Sequence, residues 1–286
     1  GGRVGRAAVG AAALALAVAG WVGSRRLRVR ELHARWPDLP AGLDGTRIAQ
    51  LSDLHVGPQT SRRFLARVRR AVERSRADVV VLTGDLIDDH PPDVAHLAAA
   101  LGTLSAPLGV YAVPGNHDVY AGWPAVAARL AALPLTVLVN DAAVVERGGS
   151  RLAVVGLGDP AGRGGPAGPD AARALARVPA GAFPVALAHN PALWPELAAR
   201  GVRLTLSGHT HWGQLALPER GWSLATPFLR DLVMGAHRRA ESLLYIAPGT
   251  GFWGIPFRLG AWPEVTVVTL GRGGSVEIVE GGISLG

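Results

Sequence analysis

Five short polar motifs punctuate this chain, each directly after a short apolar run: Asp53-Leu54-His55, Gly84-Asp85, Gly115-Asn116-His117-Asp118, His189-Asn190-Pro191 and Gly208-His209-Thr210-His211. The runs before them, at 47–51, 79–83, 110–113, 185–188 and 204–206, have the length and β-branched content of buried strands. In open α/β sheets the functional crevice lies beyond the carboxyl ends of the strands, so motifs in those positions converge. They extend from Asp53 to His211 without an evident boundary, which predicts one catalytic domain. A lone histidine in a strand-rich protein usually packs or hydrogen-bonds. Five of the nine histidines standing in these motifs, three of them beside Asp or Asn, calls for another explanation.

That explanation is metal. Carboxylate, amide and imidazole groups suit hard and borderline divalent cations, and two such cations about 3.5–4 Å apart activate water and clamp a phosphoryl group. A shared anion must join them, and Asp85, after a glycine that permits a sharp turn, is the candidate bridge. On extended backbone, residues two apart share a face, so Asp53 with His55, and His209 with His211, are expected to point together. Asn116 can ligate through its carbonyl oxygen, which leaves the adjacent His117 for acid–base work.

Composition removes competing chemistries. There is no Cys, hence no thiolate metal site, cysteine nucleophile or disulfide. There is also no Lys, so a P-loop lysine, a Schiff base and a Ser-Lys dyad are excluded. The formal net charge of +7 invites a nucleic-acid reading. Six of those charges, however, are Arg3, Arg6, Arg25, Arg26, Arg28 and Arg30, in a stretch without acids; the remainder holds 23 Arg against 22 Asp and Glu. A basic end on a neutral body does not indicate a nucleic-acid partner.

Between those arginines, residues 7–23 are uncharged and rich in Ala, Leu and Val. Seventeen residues is the short limit for a membrane span, and Ala17-Val18-Ala19 would also serve as a signal-peptide cleavage site. Arginines after the run resist translocation, which favours an uncleaved anchor over residues 1–30, in a bacterial inner membrane with its side open; an exported form is the alternative. Residues 31–45, with Pro37 and Pro40, read as a linker, 46–271 as the catalytic domain and 272–286 as a C-terminal tail. Amphipathic spacing predicts a helix over 61–75, with further helices at 92–104 and 123–133. The Gly- and Pro-rich stretch 159–170 reads as a mobile loop. The aromatic-rich stretch 212–263 is either a membrane-facing or substrate-capping surface or the core of a second sheet. Residues 264–270 and 276–279 read as closing strands.

Read together as DLH, GDLID, GNHD, AHNP and GHTH, the motifs resemble those of the calcineurin-like metallophosphoesterases, in the family's order, over 46–270. DLHVG and SGHTHWGQ are further similar to a bacterial membrane-associated, YkuE-like branch. The resemblance implies a four-layer α/β/β/α sandwich with an N-terminal hydrophobic anchor helix. It implies Asp53, His55 and His211 on one metal, Asn116, His189 and His209 on the other, and Asp85 bridging. His117 would protonate the leaving oxygen or stabilise the transition state, Asp118 would orient His117, and Asp88 would stand behind the ligands. The implied activity is hydrolysis of a phosphoester or pyrophosphate by a bridging hydroxide. Mn or Fe, or else Zn, would be the two divalent ions, and the partner a phosphorylated small molecule or a lipid-linked substrate. Trp212 departs from this branch, where Gly usually follows the last His, and an indole there is expected to shape substrate choice. Two other readings compete: a catalytically silent scaffold, against which every ligand position is retained, and a one-metal lyase or oxygenase, which leaves Asn116 and one motif imidazole without a role.

Overall fold

The computed structural model describes residues 2–229 and 231–285. Gly1 and Gly286, the ends of the expected anchor and tail, lie outside the described residues. Seven strands form the first sheet: β1 (Arg28–Trp36), β2 (Arg47–Leu51), β3 (Val79–Thr83), β4 (Val110–Val113), β5 (Thr136–Val137), β14 (Glu264–Arg272) and β15 (Glu277–Leu285), in the order β15-β1-β14-β2-β3-β4-β5. Six form the second: β6 (Asp141–Arg147), β7 (Ser150–Gly156), β8 (Phe183–Leu187), β9 (Leu204–Ser207), β12 (Gly235–Arg239) and β13 (Ser242–Ile246), in the order β12-β13-β9-β8-β7-β6. A short hairpin, β10 (Ala216–Leu217) and β11 (Trp222–Ser223), stands apart from both.

The central strands are apolar on both faces because both faces are covered. In β3, Val79 and Val81 point into a core that Leu152, Val154, Val185 and Leu206 fill from the second sheet. Their neighbours Val80 and Leu82 point the other way, against α2 (Arg62–Ser75), α3 (Val94–Leu101) and α5 (Trp123–Leu130). Behind the second sheet, Ala153, Val155 and Ala186 pack on α6 (Ala171–Leu175) and α7 (Trp194–Ala199). The layers therefore run α/β/β/α, as the resemblance implied.

Two segments differ from expectation. The stretch read as a linker carries β1, which pairs in parallel with β14 and antiparallel with β15. The stretch read as a tail carries β15. Leu32, Ala34 and Trp36 alternate inward, so the chain before Pro37 is sheet, and both ends of the body are built into it. The helices at 92–104 and 123–133 are shorter than expected, giving way to turns near Gly102 and Ala131. Residues 159–170 have no regular helix or strand beyond one short turn, but they are tied down. Asn140 donates to the Gly168 carbonyl (2.6 Å) and accepts from the N–H groups of Gly158 (3.0 Å) and Asp170 (2.8 Å).

The apolar run forms α1 (Gly2–Gly23), whose 18-residue window Arg6–Gly23 has mean hydropathy 1.6 and is 11% buried. Its 22 residues at about 1.5 Å each reach about 33 Å, enough to cross a hydrocarbon layer.

Candidate metal centre

β2, β3 and β4 run parallel to one another, as do β8, β9 and β13, so their carboxyl ends deliver the five motif loops to one crevice. Gln50 ties the two sheets together at that end, donating to Thr83 Oγ1 and to the Ser207 carbonyl, both at 2.9 Å. The ligand pairs do not converge through extended backbone. Asp53, His55, Asp85, His209 and His211 all have positive φ, between 43° and 73°. Tight left-handed turns, unusual for residues with a Cβ, aim these side chains inward, and such backbone outliers concentrate at functional sites. Glycine is required where two loops touch: a Cβ on Gly208 would lie 2.1 Å from Asp53 Oδ2.

Two side-chain groups meet at Asp85. Asp53, His55, Asp85 and His211 form one; Asp85, His189 and His209 form the other, each with ligand atoms within 4.8 Å. Asp85 Oδ2 lies 3.4 Å from His55 Nε2 and 3.2 Å from His189 Nε2. Asn116 completes the second group, its Oδ1 2.8 Å from His209 Nδ1 and 3.1 Å from His189 Nε2. In the first, His55 Nε2 and His211 Nε2 face each other at 3.0 Å, and His211 Nε2 is 3.4 Å from Asp53 Oδ1. All seven expected ligands are therefore brought together.

The charge balance of this cluster fits divalent cations. His189 Nδ1 donates to the Thr83 carbonyl at 2.9 Å, which turns Nε2 toward three electron-rich atoms, Asp85 Oδ2, Asn116 Oδ1 and His209 Nδ1. Only a proton or a metal satisfies that arrangement. Burial disfavours charge on His189, but the Asp85 and Asp53 carboxylates push it up to about 10. Burial, reinforced by His189, pulls His209 down to about 4 and so keeps it neutral, the ligating form. Burial opposes the charge of Asp85 too, yet His189, His55 and the His117 N–H hold it well below the usual carboxylate range. Asp53 is buried, its Oδ1 accepting the His209 N–H at 2.8 Å, while Oδ2 has no hydrogen-bond partner among the described residues. An unpartnered buried carboxylate oxygen in a cluster of imidazoles fits a divalent cation as its partner.

Three residues behind the ligands deserve separate treatment. Asp88 Oδ1 lies 3.3 Å from His55 Nδ1, fixing that ring as a carboxylate behind a metal-bound histidine does. Asp118 does not orient His117. Its carboxylate accepts the N–H groups of Leu86, Ile87 and Gly115 at 2.9–3.2 Å, and so pins the loop that carries Asp85. Burial and the nearby Asp85 push Asp118 up to about 7 against those donors. His117 is held instead by the Asp88 carbonyl, 3.1 Å from its Nδ1.

Arg258 was not foreseen from the motifs. It is fully buried, and its guanidinium donates to His211 Nδ1 (3.0 Å) and to the carbonyls of Pro248 (2.7 Å) and Ala261 (3.1 Å). His55 and His189 hand their second ring nitrogen to an acceptor; His211 alone faces a cation there. Burial, with His55 and Arg258 beside it, holds His211 well below the ordinary histidine value. The available signal was topological: residues 247–263 follow β13, a further parallel strand ending at the same crevice.

A cavity of about 400 Å³ opens over the cluster, lined by His117, His209, His211, Gln214, Leu224 and Trp253 among others. Trp212 is not among its lining residues. Trp253 takes the wall position, clamped by Gln214, which donates to its carbonyl (3.0 Å) and accepts its N–H (2.8 Å).

Residues 46–213 match the family model for calcineurin-like phosphoesterases. The chain belongs to that family. It is 31% identical over 237 residues to the Bacillus subtilis metallophosphoesterase YkuE, covering 81% of each chain. It is 35% identical over 247 residues to a zebrafish (Danio rerio) transmembrane protein with a metallophosphoesterase domain, covering 81% of this chain but only 54% of that relative. The chain thus spans about half of this phosphoesterase relative. Among solved structures, the Thermus thermophilus sulfate thiohydrolase SoxB shares the fold, with a TM-score of 0.50 at 14% identity over 85% of this chain and 57% of its own. The family match ends before Trp253 and Arg258, so Gln214, Leu224, Ala225 and Trp253 of the cavity lining come from beyond it.

Proposed function

We propose that the chain is a dinuclear, divalent-metal-dependent hydrolase of phosphoester or pyrophosphate bonds. The observation that carries this reading is Asp85 Oδ2, set between His55 Nε2 and His189 Nε2 so that one carboxylate joins two ligand groups. Asp53, His55 and His211 would hold one cation, Asn116, His189 and His209 the other, and Asp85 both. When bound, such a pair supplies Lewis acidity toward phosphoryl oxygens and lowers the pKa of water to near neutrality. Ligands without sulfur suit Mn²⁺ or Fe, with Zn²⁺ also accommodated.

The chain's own part is positioning and proton transfer. His117 lines the cavity, its Nδ1 held by the Asp88 carbonyl, so its Nε2 delivers a proton to the departing oxygen. Asp88 keeps the His55 ring in place and Asp118 keeps the Asp85 loop in place. The substrate class we favour is a phosphorylated molecule with an apolar part, a lipid-linked phosphate, because Leu224, Ala225 and Trp253 form one side of the cavity. Membrane association through α1 is consistent with this choice. The test is a panel of p-nitrophenyl phosphate, bis-p-nitrophenyl phosphate and nucleotide–lipid pyrophosphates, assayed on full-length protein after chelation and again with Mn²⁺ restored. Metal-dependent turnover of at least one is expected; turnover that survives chelation overturns the reading.

A further inference from the structure

The cavity wall continues outward into apolar side chains that nothing among the described residues covers. Phe228 is 81% exposed, Ile255 67%, Trp253 54% and Leu224 53%. Single exposed apolar residues are ordinary, but a cluster around a cavity mouth marks an interaction surface. Leu224 and Trp253 line the cavity itself. Phe228 stands one turn beyond Ala225, whose carbonyl accepts its N–H at 3.0 Å, and Ile255 follows Trp253 by two residues.

What covers this rim is indicated by α1. The Arg258 N–H donates to the Gly20 carbonyl at 2.9 Å. The Phe257 ring lies so close that a Cβ on Gly20 would be 2.1 Å from it, and Gly23 abuts the Arg258 carbonyl and the Trp262 indole. The loop that supplies Trp253 to the cavity therefore also receives the end of the apolar helix. Trp253 and Phe257 are four residues apart, a span of at most about 14 Å. The helix end and the cavity mouth thus lie on one surface. Arg25 stacks on Trp21 at 3.8 Å, and Arg26 and Arg28 lie over Trp262 at 5.6 and 5.0 Å. Arginine and tryptophan together at a helix end suit the headgroup layer of an anionic leaflet.

We propose that Leu224, Phe228, Trp253 and Ile255 form a bilayer-docking surface that enters the same leaflet as the end of α1. The cavity then opens within the headgroup layer and receives the phosphate of an amphiphile whose chains stay in lipid. The substrate half of this statement rests on the phosphoesterase reading; the docking half does not.

The absence of cysteine in the chain gives a direct test. Phe228→Cys, Ile255→Cys and, as control, Glu146→Cys are each labelled with an environment-sensitive fluorophore. The labelled full-length proteins are then reconstituted into phosphatidylcholine–phosphatidylglycerol vesicles carrying a shallow nitroxide lipid. Glu146 is exposed and pairs with Arg151 near the start of β7, at the end of the sheet away from the motif loops. Strong quenching at 228 and 255 but not at 146 is expected. Equal quenching at all three positions, or none, overturns the docking surface. The double variant Phe228→Glu/Ile255→Glu, whose residues lie outside the cavity lining, then tests delivery. Its KM for hexadecyl p-nitrophenyl phosphate in vesicles should rise about fivefold or more, while kcat/KM for soluble bis-p-nitrophenyl phosphate holds, which also reports correct folding. An unchanged KM overturns delivery from the bilayer. If the wild type hydrolyses neither these probes nor any member of the panel above while quenching persists, the phosphoesterase reading fails and the docking surface stands.

Discussion

His117 and Asp85 face the same cavity, yet their replacement should separate two roles. His117→Ala is expected to keep its metal content while kcat falls by about 10²–10⁴-fold, the worth of a positioned acid. Asp85→Ala removes the oxygen shared by both ligand groups and is expected to lose metal, as elemental analysis of the purified variants would show. If His117→Ala strips the metals, or turns over like wild type, its assignment fails. A linked pH effect follows from His189. Its value, pushed up to about 10 by the Asp85 and Asp53 carboxylates, means that at pH 7 a proton occupies the nitrogen a metal needs. Metal binding should therefore release protons, and apparent affinity should rise with pH until near that value; calorimetric titration in buffers of different ionisation enthalpy measures both. Trp212 carries a third expectation. Its φ of 48° and ψ of 33° are left-handed, a conformation that Gly adopts at less cost than Trp. With the indole off the cavity lining, Trp212→Gly should leave small and bulky substrates in the same ratio and keep the thermal midpoint at or above wild type. Trp253→Ala, on the wall, should change that ratio.

Among the elements, α1 and β1 show how differently pattern can be read. The apolar run was plain in sequence, and its consequence is testable. A spanning α1 should hold full-length protein in the membrane fraction through a 1 M salt wash, where screening acts within about 3 Å, and release it only to detergent. Release by salt would make the segment a peripheral basic patch. β1 carried its alternation openly, with Leu32, Ala34 and Trp36 on one face. The charged residues between them and the prolines after them made it look like a linker. A strand is stable when it has partners, and β1's partners, β14 and β15, lie more than 200 residues away. Local sequence carries no sign of that pairing. The loop after β13 is a similar case: its role in the site comes from the strand that launches it, not from a motif.

At the scale of the molecule, chelation should lower the thermal midpoint, because a ligand that binds only the folded state stabilises it by mass action. Reloaded protein should approach two equivalents of metal, and one equivalent with full activity would defeat the dinuclear model. The sequence by itself determined the family, the layered α/β architecture and which motif side chains meet in the crevice. Those depend on residue type at the end of apolar runs, which is local information. Three things waited for the tertiary structure. Left-handed turns, not extended backbone, aim Asp53 and His55, because the partner loop's close approach at Gly208 dictates that path. Asp118 serves the Asp85 loop and not His117, because the nearest unpaired N–H groups belong to Leu86, Ile87 and Gly115. Arg258 meets His211 across 47 residues, while its own N–H holds the end of α1. Contacts of that kind arise only when distant segments pack together, and no pattern along the chain encodes them.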